Sequence, residues 1–213
     1  MTKRVGVLGS GTVAKVLARG FAAKGYEVRI GTRDASKVAD VVAEGIAAGS
    51  FAEVAAFGEV VVLAVKGTAA MDAAALAGAG LDGKIVIDTT NPIADEPPDD
   101  GILRYFTGPN DSLMERLQAA HPAARFIKAW NSVGSGFMVD PQFPGGPPAM
   151  FICGNDADAK AAVVAILTQF GWSSEDLGKA AGARALEPLC QLWCAPGFQR
   201  NDWAHAYKVL RFA

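Results

Sequence analysis

The chain has 213 residues, of which 51% are hydrophobic and 20% charged, a balance typical of a folded globular protein and not of a disordered one. With 20 Lys and Arg against 22 Asp and Glu the formal net charge is −2, so the chain offers no basic field for the phosphates of a nucleic acid. Three cysteines without a CxxC pair and two histidines argue against a metal site. No apolar stretch has the length of a membrane span, and the apolar run behind the basic start is too short for a secretory signal, so we expect a cytoplasmic protein without a membrane partner.

Short apolar runs alternate with longer alanine-rich segments along most of the chain. The runs are nearly continuous and rich in β-branched residues, as in strands that are buried on both faces. They predict strands at residues 5–8, 28–30, 60–65, 85–87, 126–129 and 150–152. The segments between them predict helices at residues 13–23, 36–43, 69–77 and 112–119. This alternation predicts an α/β fold with a doubly wound, mostly parallel sheet.

The pattern changes after about residue 140, where prolines and glycines are concentrated at residues 141–148. A strand, a helix at residues 157–170 and two further helical segments are predicted beyond it, the last including residues 202–207. We therefore predict a nucleotide-binding domain at residues 1–140 and a small α/β C-terminal subdomain at residues 141–213. A second loop, residues 95–101, is acidic and proline-rich and is expected on the surface.

The first motif is Gly9-Ser-Gly11-Thr-Val-Ala14, which follows the first predicted strand and opens the first helix. The first glycine permits a tight turn, the second lets the backbone approach a pyrophosphate, and the small Ala14 allows close packing of helix on strand. The helix N-terminus offers unpaired N–H groups to the phosphates. The motif predicts a Rossmann-type dinucleotide site; its cofactor-binding residues are Gly9, Ser10, Gly11, Thr12 and Val13.

The end of the second strand predicts which dinucleotide is bound. An NAD site usually has a carboxylate there for the ribose 2′-hydroxyl, whereas this chain has Thr32 and Arg33. A hydroxyl followed by a guanidinium suits the 2′-phosphate of NADP, and Ser36 and Lys37 can add to that pocket. The alternative is that Arg33 is a solvated turn residue and Asp34 binds the ribose of NAD.

Polar residues follow three later strands, at residues 64–67, 88–92 and 128–132. Ligands of doubly wound folds bind at the carboxyl ends of strands, so these segments are expected around one crevice. Asn91, Pro92 and Asn131 can frame the nicotinamide or its substrate, and Lys66 can reach the ribose or phosphates. We take Asn91, Asn131 and Lys66 as catalytic candidates and add Ala64, Val65, Lys66, Asn91 and Pro92 to the cofactor-binding set. The alternatives are an Asn-Pro turn and a merely exposed lysine.

The sequence resembles the family of NADP oxidoreductases that depend on the deazaflavin coenzyme F420. The similarity rests on residues 9–14, 31–33, 91–92 and 128–129, and most specifically on a tail pattern between Gly171 and Leu189. It implies NADPH at the carboxyl edge of the sheet, an acceptor stacked on the nicotinamide near Asn91, Pro92 and Asn131, a small C-terminal lobe and a homodimer. One departure is the run beginning at Asn131, where archaeal members carry a histidine followed by a Thr-Ile-Pro-like run. That run lines the deazaflavin site in the family, so the sequence leaves the acceptor and the physiological direction open.

We therefore expect an enzyme that passes hydride between NADP(H) and a small-molecule flavin or deazaflavin acceptor. Such a transfer depends mainly on positioning two flat rings and needs no strong acid, which suits a chain so poor in histidine. The alternatives are an NADPH-dependent reductase of a small carbonyl or imine and a non-catalytic NADP-binding sensor. Hydrolysis has little support, since no Ser-His-Asp or Cys-His arrangement is recognisable.

Overall fold

The computed structural model describes residues 4–212 of the chain. In order, its strands are β1 Arg4–Leu8, β2 Glu27–Gly31, β3 Ala47–Gly49, β4 Val60–Leu63, β5 Ile85–Asp88, β6 Arg125–Lys128, β7 Ala149–Gly154 and β8 Ser173–Asp176. Its α-helices are α1 Thr12–Ala23, α2 Ala39–Ala43, α3 Phe51–Phe57, α4 Ala70–Ala77, α5 Leu113–Ala120, α6 Ala157–Gln169 and α7 Ala183–Arg200. Short 3₁₀ turns precede α2, α4 and α7.

The strands form one sheet in the order β3-β2-β1-β4-β5-β6-β7-β8. Strands β1 to β6 run parallel, β7 is antiparallel to β6, and β8 is parallel to β7. The chain order reverses between β1 and β4, and there the carboxyl ends of neighbouring strands leave a crevice for a ligand. The predicted doubly wound, mostly parallel α/β fold is confirmed.

Apolar side chains cover both faces of the sheet, which is why the strand sequences read as continuous hydrophobic runs. On one face the sheet packs against α1 and α6, including the buried Phe21 and Leu167. On the other it packs against α3, α4, α5 and α7, including Val54, Leu113 and Leu186. Residues after 140 thus add two strands to the same sheet and a helix to each face, and the boundary at residue 140 stays a prediction. Within residues 4–212 no helix is both long enough and apolar enough to cross a bilayer.

Three elements were not predicted from the sequence: β3, α3 and β8. Strand β3 is short and mostly exposed, and β8 is polar, so neither shows an apolar run. Helix α3 does have a local signal, because Ser50 and Glu53 form a capping box. Ser50 N–H donates to Glu53 Oε2 at 2.8 Å, and Glu53 N–H donates to Ser50 Oγ at 3.2 Å. Helix α3 contributes to the crevice, because its first residue, Phe51, lies beside it.

Removing this cap is expected to loosen α3. We expect Ser50→Ala to lower the free energy of unfolding by about 1 kcal/mol, since the Glu53 N–H loses its acceptor and the Glu53 carboxylate loses the Ser50 hydroxyl. Thermal unfolding should show the loss as a fall in melting temperature of about 2–4 °C. The control is Ser135→Ala, because the Ser135 hydroxyl makes no hydrogen bond within the described part of the chain. Equal melting temperatures for the two variants would contradict the capping role.

The C-terminal segment differs from the prediction of two helices. Helix α7 is continuous although it contains Pro188 and Pro196, and it ends at Asn201, whose φ of 57° is left-handed. The prediction of helix at residues 202–207 is wrong, because the chain leaves α7 and folds back on it. The Trp203 ring packs on Gly197, where any side chain would overlap the ring. The backbone carbonyl of Tyr207 accepts a hydrogen bond from Ala149 N–H at the start of β7.

Candidate functional site

The turn between β1 and α1 is packed so tightly that its first residue must be glycine. Gly9 has a φ of 140°, and a Cβ at this position would overlap the carbonyl oxygen of Ala64 at the end of β4. Its N–H donates to the Gly31 carbonyl at the end of β2, at 2.9 Å. The turn is therefore held between the ends of two neighbouring strands, and Gly9 adds no side chain to the crevice.

The second glycine leaves the N-terminus of α1 open. Gly11 is the N-cap in an extended conformation, no side chain caps the helix, and its first turn has no acidic residue. Apart from Gly11 and its two neighbours in the chain, no described residue has an atom within 4 Å of the position that a Cβ of Gly11 would take. The first N–H groups of a helix have no intrahelical acceptor, and they carry the positive end of its dipole. This end of α1 can accept an anionic group at short range.

A cleft of about 290 Å³ opens at this helix end and runs between the ends of β2 and β4. Most of the predicted cofactor-binding residues line it, whereas Thr12, Val13, Ser36, Asn91 and Pro92 are not in the lining. Five residues of the lining were not predicted as cofactor-binding: Asp34, Phe51, Ala69, Ala73 and Leu76. The complete lining is Gly9, Ser10, Gly11, Thr32, Arg33, Asp34, Lys37, Phe51, Ala64, Val65, Lys66, Ala69, Ala73 and Leu76.

The corner after β2 contains two cations and one carboxylate. Arg33 and Lys37 are exposed, and neither forms an ion pair within residues 4–212. Asp34 caps the following 3₁₀ turn, where its Oδ1 accepts from Ser36 N–H at 3.0 Å and from Ser36 Oγ at 2.6 Å. These hydrogen bonds from the Ser36 hydroxyl and N–H hold the pKa of Asp34 below its ordinary value. The Thr32 hydroxyl is bonded to the backbone of Asp34. Thr32 and Ser36 thus fix the shape of the corner, and its free side chains are cationic.

The apolar members of the lining come from α3 and α4. Phe51 is 8% exposed at the start of α3, and Ala73 is buried on α4, where Leu76 is half exposed. Together they give the cleft one apolar wall beside the cationic corner. A flat ring with a charged substituent suits such a combination. The Ser50 and Glu53 capping box was the sequence signal that could have placed Phe51 here.

The two catalytic asparagine candidates meet beside the cleft and bond to each other. Asn91 Nδ2 donates to the Asn131 carbonyl at 2.8 Å, and Asn131 Nδ2 donates to Asn91 Oδ1 at 3.1 Å. Asn131 Nδ2 also donates to the Leu186 carbonyl on α7 at 2.8 Å, and Asn131 is only 3% exposed. Asn91 is half-buried, and its carbonyl oxygen packs against Gly67. The pair joins the turn after β5, the turn after β6 and α7.

Lys66, the third catalytic candidate, is at the open side of the cleft. Its side chain is 63% exposed and forms an ion pair with Asp95, the first residue of the acidic loop. The pair is exposed at both ends and contributes little to stability. Lys66 can therefore exchange Asp95 for an anionic ligand at small cost.

Asn131 has the contacts of a residue that ties backbone segments together. We expect Asn131→Leu to lower the free energy of unfolding by about 1–3 kcal/mol, because the buried Leu186 carbonyl loses its donor. Differential scanning calorimetry measures the loss, and Asn110→Leu, at an exposed position, is the control. An unchanged melting temperature together with reduced turnover would instead place Asn131 in contact with the acceptor.

The fold and the cleft define a Rossmann-type nucleotide-binding protein. The residues present fit a dinucleotide with an extra phosphate, because an uncapped helix end and two free cations line a single cleft with one apolar wall. Within residues 4–212 no group of three or more His, Cys, Asp or Glu side chains is placed to hold a metal ion.

The chain belongs to the family of coenzyme F420-dependent NADP oxidoreductases. The model of the family described as NADP oxidoreductase, coenzyme F420-dependent, matches residues 4–92. A candidate F420-dependent NADP reductase from Arthrobacter sp. FB24 has a similar crystal structure, with a TM-score of 0.91 and 33% sequence identity, covering 99% of this chain and 100% of that one. The resemblance inferred from the sequence is thus confirmed, and the family is one of NADP oxidoreductases.

Two further relatives are longer proteins. Metalloreductase STEAP3 of Rattus norvegicus is 30% identical over 187 residues, which cover 87% of this chain and 36% of that protein. The chain thus spans about a third of this curated relative. An imine reductase from Streptomyces aurantiacus has a TM-score of 0.65 at 18% identity, covering 89% of this chain and 59% of that one. At that identity the likeness concerns the fold.

Proposed function

We propose that this protein transfers hydride between NADP(H) and a flavin or deazaflavin-type acceptor. The observation that carries the proposal is the corner after β2, where Arg33 and Lys37 line the cleft, neither forms a salt bridge among residues 4–212, and Asp34 caps the next turn. Guanidinium and ammonium groups bind a phosphate, and one oxygen of the Asp34 carboxylate is already bonded to Ser36. The full-length similarity to the Arthrobacter protein supports the acceptor class.

Each part of the cleft has a proposed role in holding the dinucleotide. The N–H groups at the start of α1, from Gly11 to Val13, would bind the pyrophosphate, with Ser10 beside them. Arg33 and Lys37 would bind the 2′-phosphate, on a corner shaped by Thr32 and Ser36. Ala64, Val65 and Lys66 would line the ribose on the nicotinamide side. When bound, NADPH supplies the hydride from its dihydronicotinamide ring.

The protein's contribution to the transfer is positioning. Pro92 is buried and Asn91 is bonded to Asn131, so the turn after β5 is a fixed platform at the nicotinamide end. Ring-to-ring transfer requires the reacting carbons within about 3–3.5 Å, which a fixed platform can enforce. No strong acid is needed for this chemistry, and neither asparagine is one. Asn91 is therefore proposed to position the reacting rings and not to exchange a proton.

The test is NADPH oxidation by the purified protein with several acceptors. We expect the absorbance of NADPH to fall when F420 or a free flavin is added. When NADH replaces NADPH, we expect the absorbance of NADH to fall more slowly. A cyclic imine tests the alternative of a small-substrate reductase. A transition-metal chelate tests metal reduction, the activity for which the rat relative is named. NADPH binding without oxidation by any of these acceptors would contradict the proposal and favour an NADP-binding sensor.

We further propose that two copies associate through the C-terminal segment. Leu192 and Phe198 on α7 are 59% and 47% exposed, and Leu210 in the tail is 85% exposed. Such a concentration of exposed apolar side chains is typical of an interaction surface. Trp193, in contrast, is buried against Gly134 and stacked on His205, so it already has partners within one chain. Sedimentation at micromolar concentration tests the assembly, and a monomer would contradict it.

A further inference from the structure

A lysine with no solvent exposure lies directly beneath the proposed nicotinamide platform. Lys128 ends β6, and its Nζ lies 2.7 Å from Asp88 Oδ2 and 2.9 Å from Glu187 Oε1. It also donates to the Thr90 carbonyl at 2.8 Å. Three oxygen atoms thus lie within 2.9 Å of the ammonium group, two of them from carboxylates. We call Asp88, Lys128 and Glu187 the buried triad.

The triad holds the turn after β5 from two sides. Asp88 Oδ1 accepts from Thr90 N–H at 2.9 Å and from Thr90 Oγ at 2.7 Å, while Lys128 binds the carbonyl of the same residue. Both polar groups of the Thr90 backbone are thus bonded to charged side chains. The next residue is Asn91, whose carbonyl accepts from Ile93 N–H at 2.8 Å across Pro92. The position of Asn91 and Pro92 therefore follows from that of Thr90.

Glu187 connects this turn to the C-terminal lobe. It is 1% exposed on α7, and its two oxygens accept from Leu113 and Met114 N–H at 3.0 Å, at the N-terminus of α5. Its own carbonyl accepts from the Tyr105 hydroxyl at 2.8 Å. A carboxylate at a helix N-terminus is stabilised by the dipole, which offsets the second negative charge of the triad. Helices α5 and α7 and strands β5 and β6 thus meet at one ammonium group.

Such a cluster is a poor way to gain stability. Moving three charges out of water costs several kcal/mol for each, and replacing buried ion pairs with neutral groups of similar shape is often neutral or stabilising. What the charges do provide is directional bonding to the backbone of Thr90. We propose that the buried triad is a positioning device that fixes the Thr90–Pro92 turn as the platform for the reacting rings, an inference that rests on the proposed function.

The variant that tests this role removes all three charges at once. Asp88→Asn, Lys128→Met and Glu187→Gln together keep the side-chain volumes and leave no unpaired buried charge, so the chain is expected to fold. We expect the NADPH dissociation constant to stay within about twofold, because its phosphates bind at α1 and Arg33. Turnover should fall about 10- to 100-fold, the scale of a misplacement of about 1 Å at the reacting atoms. Loss of NADPH affinity in parallel with turnover would overturn the inference.

A single substitution provides a milder test with a matched control. Thr90→Val removes the hydroxyl bonded to Asp88, and turnover should fall about three- to tenfold. Thr89→Val removes another buried hydroxyl one residue earlier, which donates to the Leu63 carbonyl at 3.0 Å and not to a member of the triad. Turnover of Thr89→Val should stay within about twofold of the wild type. Equal losses in the two variants would mean that any buried hydroxyl at this edge matters, and would overturn the specific role of the triad.

A second readout separates this inference from the proposed function. The fluorescence of bound NADPH comes from its nicotinamide ring and depends on the surroundings of that ring. If the wild type oxidises NADPH with none of the acceptors, the proposed function fails, and the triad is then judged by fluorescence alone. We expect the emission of NADPH bound to the triple variant to differ from that of the wild-type complex at unchanged affinity. Identical emission in the two complexes would overturn the inference.

Discussion

Arg33→Ala is expected to weaken NADPH binding by about 1–3 kcal/mol, the contribution of a charge-assisted hydrogen bond, and to leave NADH binding nearly unchanged. The reason is the geometry of the corner after β2. Arg33 lines the cleft without an ion-pair partner among residues 4–212, and only NADPH carries the 2′-phosphate for it to bind. Isothermal titration with both dinucleotides measures the two affinities.

The matched control for this prediction is an exposed arginine on β2, four residues earlier in the chain. Arg29 lies over the Phe57 ring at 4.1 Å and is not in the lining of the cleft. Arg29→Ala should change stability slightly and leave the ratio of the two affinities as it is. Asp34→Ala tests the NAD alternative, because that reading requires the Asp34 carboxylate for NADH. Equal losses of both dinucleotides in Arg33→Ala, or a native preference for NADH, would refute the assignment.

Lys128→Met alone is expected to lower the free energy of unfolding by about 3–5 kcal/mol. The change leaves Asp88 and Glu187 buried at 0% and 1% exposure without their counter-ion. Urea unfolding measures the loss. The triple neutral variant described above is the control, since it should recover most of the stability although it carries more substitutions. Similar losses in both variants would mean that side-chain packing, and not unpaired charge, dominates at this site.

The stabilising charge on Lys128 should persist to alkaline pH. Burial lowers the pKa of Lys128, but Asp88 and Glu187 raise it more, so its pKa lies above the ordinary value of 10.5. A raised pKa in the folded state contributes stability that is fully present below 10.5 and is lost only as pH rises through the folded pKa. The lysine's contribution is the difference in unfolding free energy between the wild type and Lys128→Met. This difference should therefore not fall from about pH 7 to about pH 9. A steep fall in that window would contradict the raised pKa.

Features fixed by neighbouring residues could be predicted from the sequence. The glycine turn at residues 9–14 was identified because a positive φ and an open helix N-terminus are requirements of the local backbone. The buried strands were identified from continuous apolar runs, and the position of Arg33 followed from its place directly after β2. Helix α3 could have been included, because its capping box is also a local signal.

Other features were decided only by the tertiary structure, because they depend on residues far apart in the chain. The place of Asn131 at the crevice stays a prediction, and only the fold shows that its amide is bonded to Asn91 and to the Leu186 carbonyl. In the sequence, nothing distinguishes Lys128 from other residues at strand ends or Glu187 from other helix residues. Their buried ion pair depends on how α7 packs on the sheet. The tail at residues 202–212 has a helical composition but packs the rings of Trp203 and Tyr207 on α7. The burial of those rings outweighs the weak local preference for helix, and no pattern within the tail records that packing.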